Sequence, residues 1–161
     1  MKLLVIISTL LLFNNIALAT DNFYVTGAFG YGYISGSSDY ERANDYAYTL
    51  NSNIGYNFNR YFAIDTGLTF IPSNNSIPNY FITDIAAKAS IALGDFASSY
   101  IHLGPGYVTS HTNSSMGLFT GIGAAFKVSQ NISINIEDYG IIFTGDLNVI
   151  NTLTIGAIYD F

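Results

Sequence analysis

The sequence has no cysteine, no tryptophan and only 3 prolines in 161 residues. Without cysteine there is no disulfide framework, no lipoprotein attachment point and no cysteine metal centre. Charge is scarce: Lys, Arg, Asp and Glu together make up 10% of the chain, against about 25% in a soluble domain. A soluble protein of this size could not clothe its surface with so few charges. Basic charge is scarcest, with 5 Lys and Arg against 11 Asp and Glu and a net charge of −6. That leaves no basic footprint for nucleic acid. Long apolar runs are missing as well. The one candidate, Leu3 to Phe13, is too short to span a bilayer as a helix.

That run has another reading. Lys2 precedes it and Ala17-Leu18-Ala19 follows it, the order of a secretory signal peptide with a small-x-small cleavage site. Met1 to Ala19 is expected to be a cleaved leader, leaving 161 − 19 = 142 residues from Thr20. Loss of Lys2 would make the mature chain −7.

What is abundant is apolar and aromatic. Half the residues are hydrophobic, and 13 Tyr and 12 Phe are spread along the chain. An exported, charge-poor chain without spanning helices has one membrane solution, a closed barrel in which every backbone group pairs between strands. The pattern agrees. Eight segments alternate with period two, starting near Phe23, Asp45, Tyr61, Asn79, Ser99, Met116, Ile132 and Val149. Their starts are 16 to 22 residues apart, room for a spanning strand of about ten residues plus a connection.

One face of each segment is aliphatic and aromatic. The other carries mostly Gly, Ala, Ser, Thr and Asn with a few charges. Small residues suit a narrow lumen, so the apolar face is assigned to lipid. Asp138 does not fit, since strict alternation puts it on the lipid face. A bulge near Glu137, or a strand already clear of the bilayer, would account for it. The aromatics fall into two girdles. Phe23, Tyr56, Phe58, Phe62, Phe96, Tyr100, Phe126, Tyr159 and Phe161 lie near the short turns. Tyr31, Tyr33, Tyr46, Tyr48, Phe70, Phe81 and Tyr107 lie near the other ends. The expected fold is all-β, an eight-stranded antiparallel up-and-down transmembrane β-barrel formed by residues 20–161 as one domain.

The last strand alternates to its final residue, ending Tyr159-Asp160-Phe161. This resembles the C-terminal strand of bacterial outer-membrane barrels, in which such an ending is a signal to the barrel assembly machinery. The stretches Phe23 to Tyr31, Asn59 to Gly67 and Gly121 to Phe126 extend the likeness. Together they resemble the small eight-stranded outer-membrane barrels: the transmembrane domain of OmpA, OmpX and the opacity proteins. The resemblance implies residence in a bacterial outer membrane, lipid and the assembly machinery as partners, a monomer, and no enzyme activity or cofactor. The chain is expected to lack the peptidoglycan-binding domain of some relatives.

Within the lumen face, Asp65, Lys88, His102 and Glu137 are the expected charge network. The connections predict Asp65 and Lys88 at similar height on neighbouring strands, within reach of each other, and His102 opposite Ser90. In the OmpA-like family an acid on strand three and a lysine on strand four join such a network, and Asp65 and Lys88 match them. The family's second acid and its arginine fall at Ala125 and Asn135, so the resemblance implies only part of that network.

A lipid-hydrolase reading would need Ser110, His111 and Ser114 near the outer leaflet with an acid beside them, and none is near in sequence. No catalytic, cofactor-binding or metal-binding residue is assigned. The loops are expected at Gly36 to Asn44, Ile71 to Pro78, Thr109 to Ser115 and Gly140 to Leu147. The first carries Asp39, Glu41, Arg42 and Asp45. The functional expectation is a structural, membrane-integrity barrel with a lumen closed by side chains. A surface adhesin or immune-evasion protein is the alternative, followed by a narrow pore.

Overall fold

The computed structural model describes residues 22–35, 45–72, 79–110, 114–143 and 149–161. The expected leader, the whole of the expected first loop (36–44) and His111 lie outside the described residues. Eight strands follow one another: β1 Phe23–Ser35, β2 Asp45–Asn57, β3 Phe62–Ile71, β4 Tyr80–Ala92, β5 Ala97–Ser110, β6 Ser114–Lys127, β7 Ile132–Phe143 and β8 Val149–Asp160. Each pairs antiparallel with the next, and β8 pairs with β1, closing the barrel. Closure removes both edges, so no ladder is left to bind lipid or another chain.

Register fixes the tilt. Successive partners from Phe23 run through Tyr56, Ile64, Ala87, Leu103, Thr120, Gly140 and Asn151 to Tyr33. One circuit thus climbs 33 − 23 = 10 residues along β1, a stagger that tilts the strands by roughly 40°. Three connections are tight and lie at the end that carries both ends of the described barrel, here called the turn end. Between β2 and β3, Asn59 Oδ1 accepts from the Tyr61 and Phe62 amides at 2.8 and 3.0 Å. Between β4 and β5, Gly94 sits at φ +102°, a conformation that L side chains rarely adopt.

The period-two pattern becomes two environments. Outward residues such as Phe29, Tyr46, Tyr48, Ile91 and Met116 are about two-thirds exposed, between 64 and 67%. A continuous apolar belt of this kind is stable against lipid, not water. The girdles form as pairs of rings, edge-on at the turn end and tilted at the loop end. Phe23 and Tyr56 are 5.0 Å apart and Tyr159 and Phe161 5.1 Å at the turn end. Tyr31 and Tyr48 at 4.7 Å and Phe70 and Phe81 at 4.8 Å mark the loop end. Tyr100 is not in the girdle: its side chain points inward and is 3% exposed.

Three loop expectations are corrected. Ile71 is the last residue of β3. Gly140 to Phe143 and Thr109, Ser110, Ser114 and Ser115 are strand residues, because the ladders continue past the expected ends. Asp138 is also settled. The β6–β7 and β7–β8 registers run unbroken past Glu137 and Asp138. No bulge turns Asp138 inward, and it stands on the lipid-facing wall.

Candidate functional site: the lumen

The inward faces of β1, β3, β5 and β7 bring together a chain of five groups. Tyr24 OH donates to Asp65 Oδ2 at 2.6 Å. His102 Nε2 lies 3.1 Å from the same oxygen, and its Nδ1 lies 2.8 Å from Glu137 Oε1. Tyr100 OH donates to Glu137 Oε2 at 3.2 Å, and Asn135 Nδ2 donates to Tyr100 OH at 3.2 Å. The imidazole is therefore held between two carboxylates, each capped by a phenol. The Asp65 contact lies off the N–H direction, so Nε2 makes no formed hydrogen bond. It acts there as a close charge contact. Asp65, His102 and Glu137 are 3 to 5% exposed. Buried charges persist only when paired and hydrogen-bonded, and here the imidazole pairs with both carboxylates while a phenol donates to each.

Glycine makes the room. Gly55 lies under the Tyr24 ring and Gly123 under the Tyr100 ring, so close that a Cβ at either would collide with it. The small residues of the lumen face are thus seats for the few large ones.

Lys88 has a different role from the one expected. No ion pair joins it to Asp65. Its ammonium sits 4.6 Å from the Tyr24 ring centroid and 4.3 Å from that of Tyr100. Two cation–π contacts hold it below the acids. The reason is register: Asp65 faces Ala86, and Lys88 faces Ala63 and His102. The imidazole, opposite Lys88 and not Ser90, reaches Asp65 first. Toward the turns lies a polar cavity of about 180 Å³ bordered by Lys88, Arg60, Ser90, Ser133 and Asp160.

Tyr24, Tyr100 and Asp84 were not expected in the site. Alternation puts all three on the lumen face, although Tyr100 was expected in the turn-end girdle; what alternation lacked was their height. Asp84 is 5% exposed, and neither its Oδ2 nor Asn53 Oδ1 has a partner among the described residues. Both lie over Gly67.

Toward the loop end the lumen turns apolar. Ile34, Ile71, Ile82, Val108, Ile141 and Ile150 pack there with Phe119 and Tyr139. Ile71, Ile82 and Ile141 are at most 2% exposed. The expected face of small polar residues therefore holds only for the lower lumen. Between the two zones Asn51 Nδ2 donates to Thr69 Oγ1 at 3.0 Å, which also meets Tyr139 OH at 3.0 Å. Ser110 and Ser114 stand on neighbouring strands, and His111 lies outside the described residues.

A closed eight-stranded barrel with a lipid-facing belt and a polar lumen core is a recognisable membrane architecture. The sequence matches the family model "Outer membrane protein beta-barrel domain" over residues 5–161. The chain belongs to the outer-membrane β-barrel family. Among solved structures, Neisserial surface protein A is similar at 15% identity with a TM-score of 0.69, covering 86% of this chain and 97% of that one. The N-terminal barrel domain of Pseudomonas aeruginosa OprF gives 14% identity and a TM-score of 0.64, covering 86% and 98%. The attachment invasion locus protein Ail of Yersinia pestis gives 18% and 0.58, covering 88% and 100%. A Coxiella burnetii protein is 24% identical, covering 86% of this chain and 85% of that one. At these identities the solved barrels show the fold. The family places the chain in the bacterial outer membrane.

Proposed function

We propose that this barrel is a structural protein of the outer membrane that helps maintain its permeability barrier, with a lumen closed by its own side chains. The observation that carries this reading is the filling of the lumen in two zones. The Tyr24–Asp65–His102–Glu137–Tyr100 chain crosses the lower lumen, and the isoleucine cluster fills the upper. A conducting pore needs a continuous wetted path. Neither a buried charge cluster nor an apolar plug supplies one.

Reconstitution in planar bilayers tests the first half of the reading, and should give little or no steady conductance. Cells lacking the protein test the second half, and should take up more of a large apolar dye until it is restored. A large steady conductance, or unchanged dye uptake, would overturn it. A surface-attachment role would rest on the loop-end connections, of which 36–44, 73–78, 111–113 and 144–148 lie outside the described residues.

A further inference from the structure

Asp138 is the residue that the membrane reading leaves unexplained. It lies on the outward face of β7, six residues from Ile132 and five from Phe143, near the middle of the strand. Its ladder partners are Ile122 and Leu153, both strongly exposed and apolar. A carboxyl at this depth against hydrocarbon is costly, and such groups usually face a partner.

The next outward row of the wall is polar and small. Gly140 follows Asp138 on β7, flanked by Thr120 on β6 and Asn151 on β8. Asn151 leans over Gly140. These residues line a shallow crevice of about 420 Å³. The other outward threonines near mid-strand satisfy themselves: Thr66 Oγ1 donates to Asp84 O at 2.8 Å and Thr83 Oγ1 to Tyr107 O at 3.5 Å. Among the described residues, neither the Asp138 carboxylate nor the Thr120 hydroxyl has a hydrogen-bond or ion-pair partner. An acceptor and a donor thus stand unpaired on adjacent strands, beside a glycine whose missing side chain makes room for Asn151.

We propose that this β6–β8 wall is a lateral interface with a second copy of this chain in the membrane. The pattern is self-complementary. A two-fold axis along the membrane normal, passing between β6 and β7, sets each Asp138 against the second copy's Thr120. Two reciprocal hydrogen bonds form, and each residue meets the other's complement, as an isologous contact requires. Thr120 and Gly140 are small residues, the kind that stands where walls approach at membrane interfaces. The proposal rests on the membrane placement and not on the closed lumen. It replaces the expected monomer with a dimer.

The chain has no cysteine, so a single introduced one reports its own contacts. Ile122→Cys, beside Asp138, should give a disulfide-linked dimer of twice the chain mass when membranes are oxidised with copper phenanthroline. Leu50→Cys, on the opposite wall, should not. Adding Asp138→Leu or Thr120→Val to Ile122→Cys should lower the dimer yield by about fivefold, while the heat-modifiable folded band on a gel is unchanged. No dimer from Ile122→Cys, a yield indifferent to both substitutions, or an adduct with a protein of another mass would each overturn the proposal.

Discussion

His102 holds the lower lumen together. Two carboxylates face it, and Lys88 stands opposite it on β4 but spends its charge on two tyrosine rings. Removing the imidazole leaves Asp65 and Glu137 buried without a cation in contact. Breaking a buried pair costs about 3–5 kcal/mol when burial is complete, and less where water enters from the turn-end cavity. His102→Ala should therefore lower the urea midpoint in detergent more than Tyr24→Phe, which removes one hydrogen bond worth roughly 1–2 kcal/mol. Asp65→Ala combined with His102→Ala should lose clearly less than the sum of the single losses. Asp65→Ala combined with Lys88→Ala should come closer to additive. Equal coupling in the two cycles would show that Lys88, not His102, is the working partner of Asp65.

At the scale of the strand, β8 is the last in chain order, and its ladders with β7 and β1 complete the ring. Its end is fastened: the Phe161 amide donates to Phe23 O at 3.0 Å, and the Phe161 ring packs on Tyr159. We propose that Tyr159 and Phe161 in this last strand are read by the assembly machinery. Phe161→Ala should reduce the heat-modifiable folded band in cells while urea-unfolded protein still refolds in detergent. Unchanged assembly in cells would remove that role. The strands themselves were largely legible, their starts lying within two residues of those expected, because alternation is imposed by the need to face lipid on one side only. Heights within the lumen were not legible. Placing His102 opposite Ser90 instead of Lys88 is a slip of two residues between β4 and β5. A two-residue slip keeps every side chain on its face, so the face pattern carries no warning of it. The upper plug was missed for a related reason: Ile82, Ile141 and Ile150 lie on the inward face, where an aliphatic residue looks like a lapse in the pattern until the ladders stack it beside the others. Those packed side chains carry stability. Ile71→Ala and Ile141→Ala, both at sites at most 1% exposed, should each cost about 2–5 kcal/mol, read as lowered urea midpoints. Losses below that range at both sites would mean the upper lumen is loosely filled.

For the whole barrel, the two zones act as barriers in series, and series barriers have a particular signature. An ion entering from the turn end first meets the Lys88 ammonium and the tyrosine-capped acids. Past them it meets a stretch walled by Ile34, Ile71, Ile82, Val108, Ile141 and Ile150, where no polar group replaces its hydration shell. The larger barrier dominates the total, so relieving one leaves the other in force. Replacing His102 and Glu137 by alanine should widen the lower lumen and still leave conductance near the wild-type level, because the apolar plug remains. Trimming Ile71 and Ile141 to alanine should do little alone, because the charge cluster still spans the bore. The four substitutions together should produce discrete conductance steps in planar bilayers, provided that the folded band on a gel confirms an intact barrel. Steps of the same size from the lower pair alone would show that the isoleucine cluster does not seal the lumen. A large steady wild-type current would show that neither zone does.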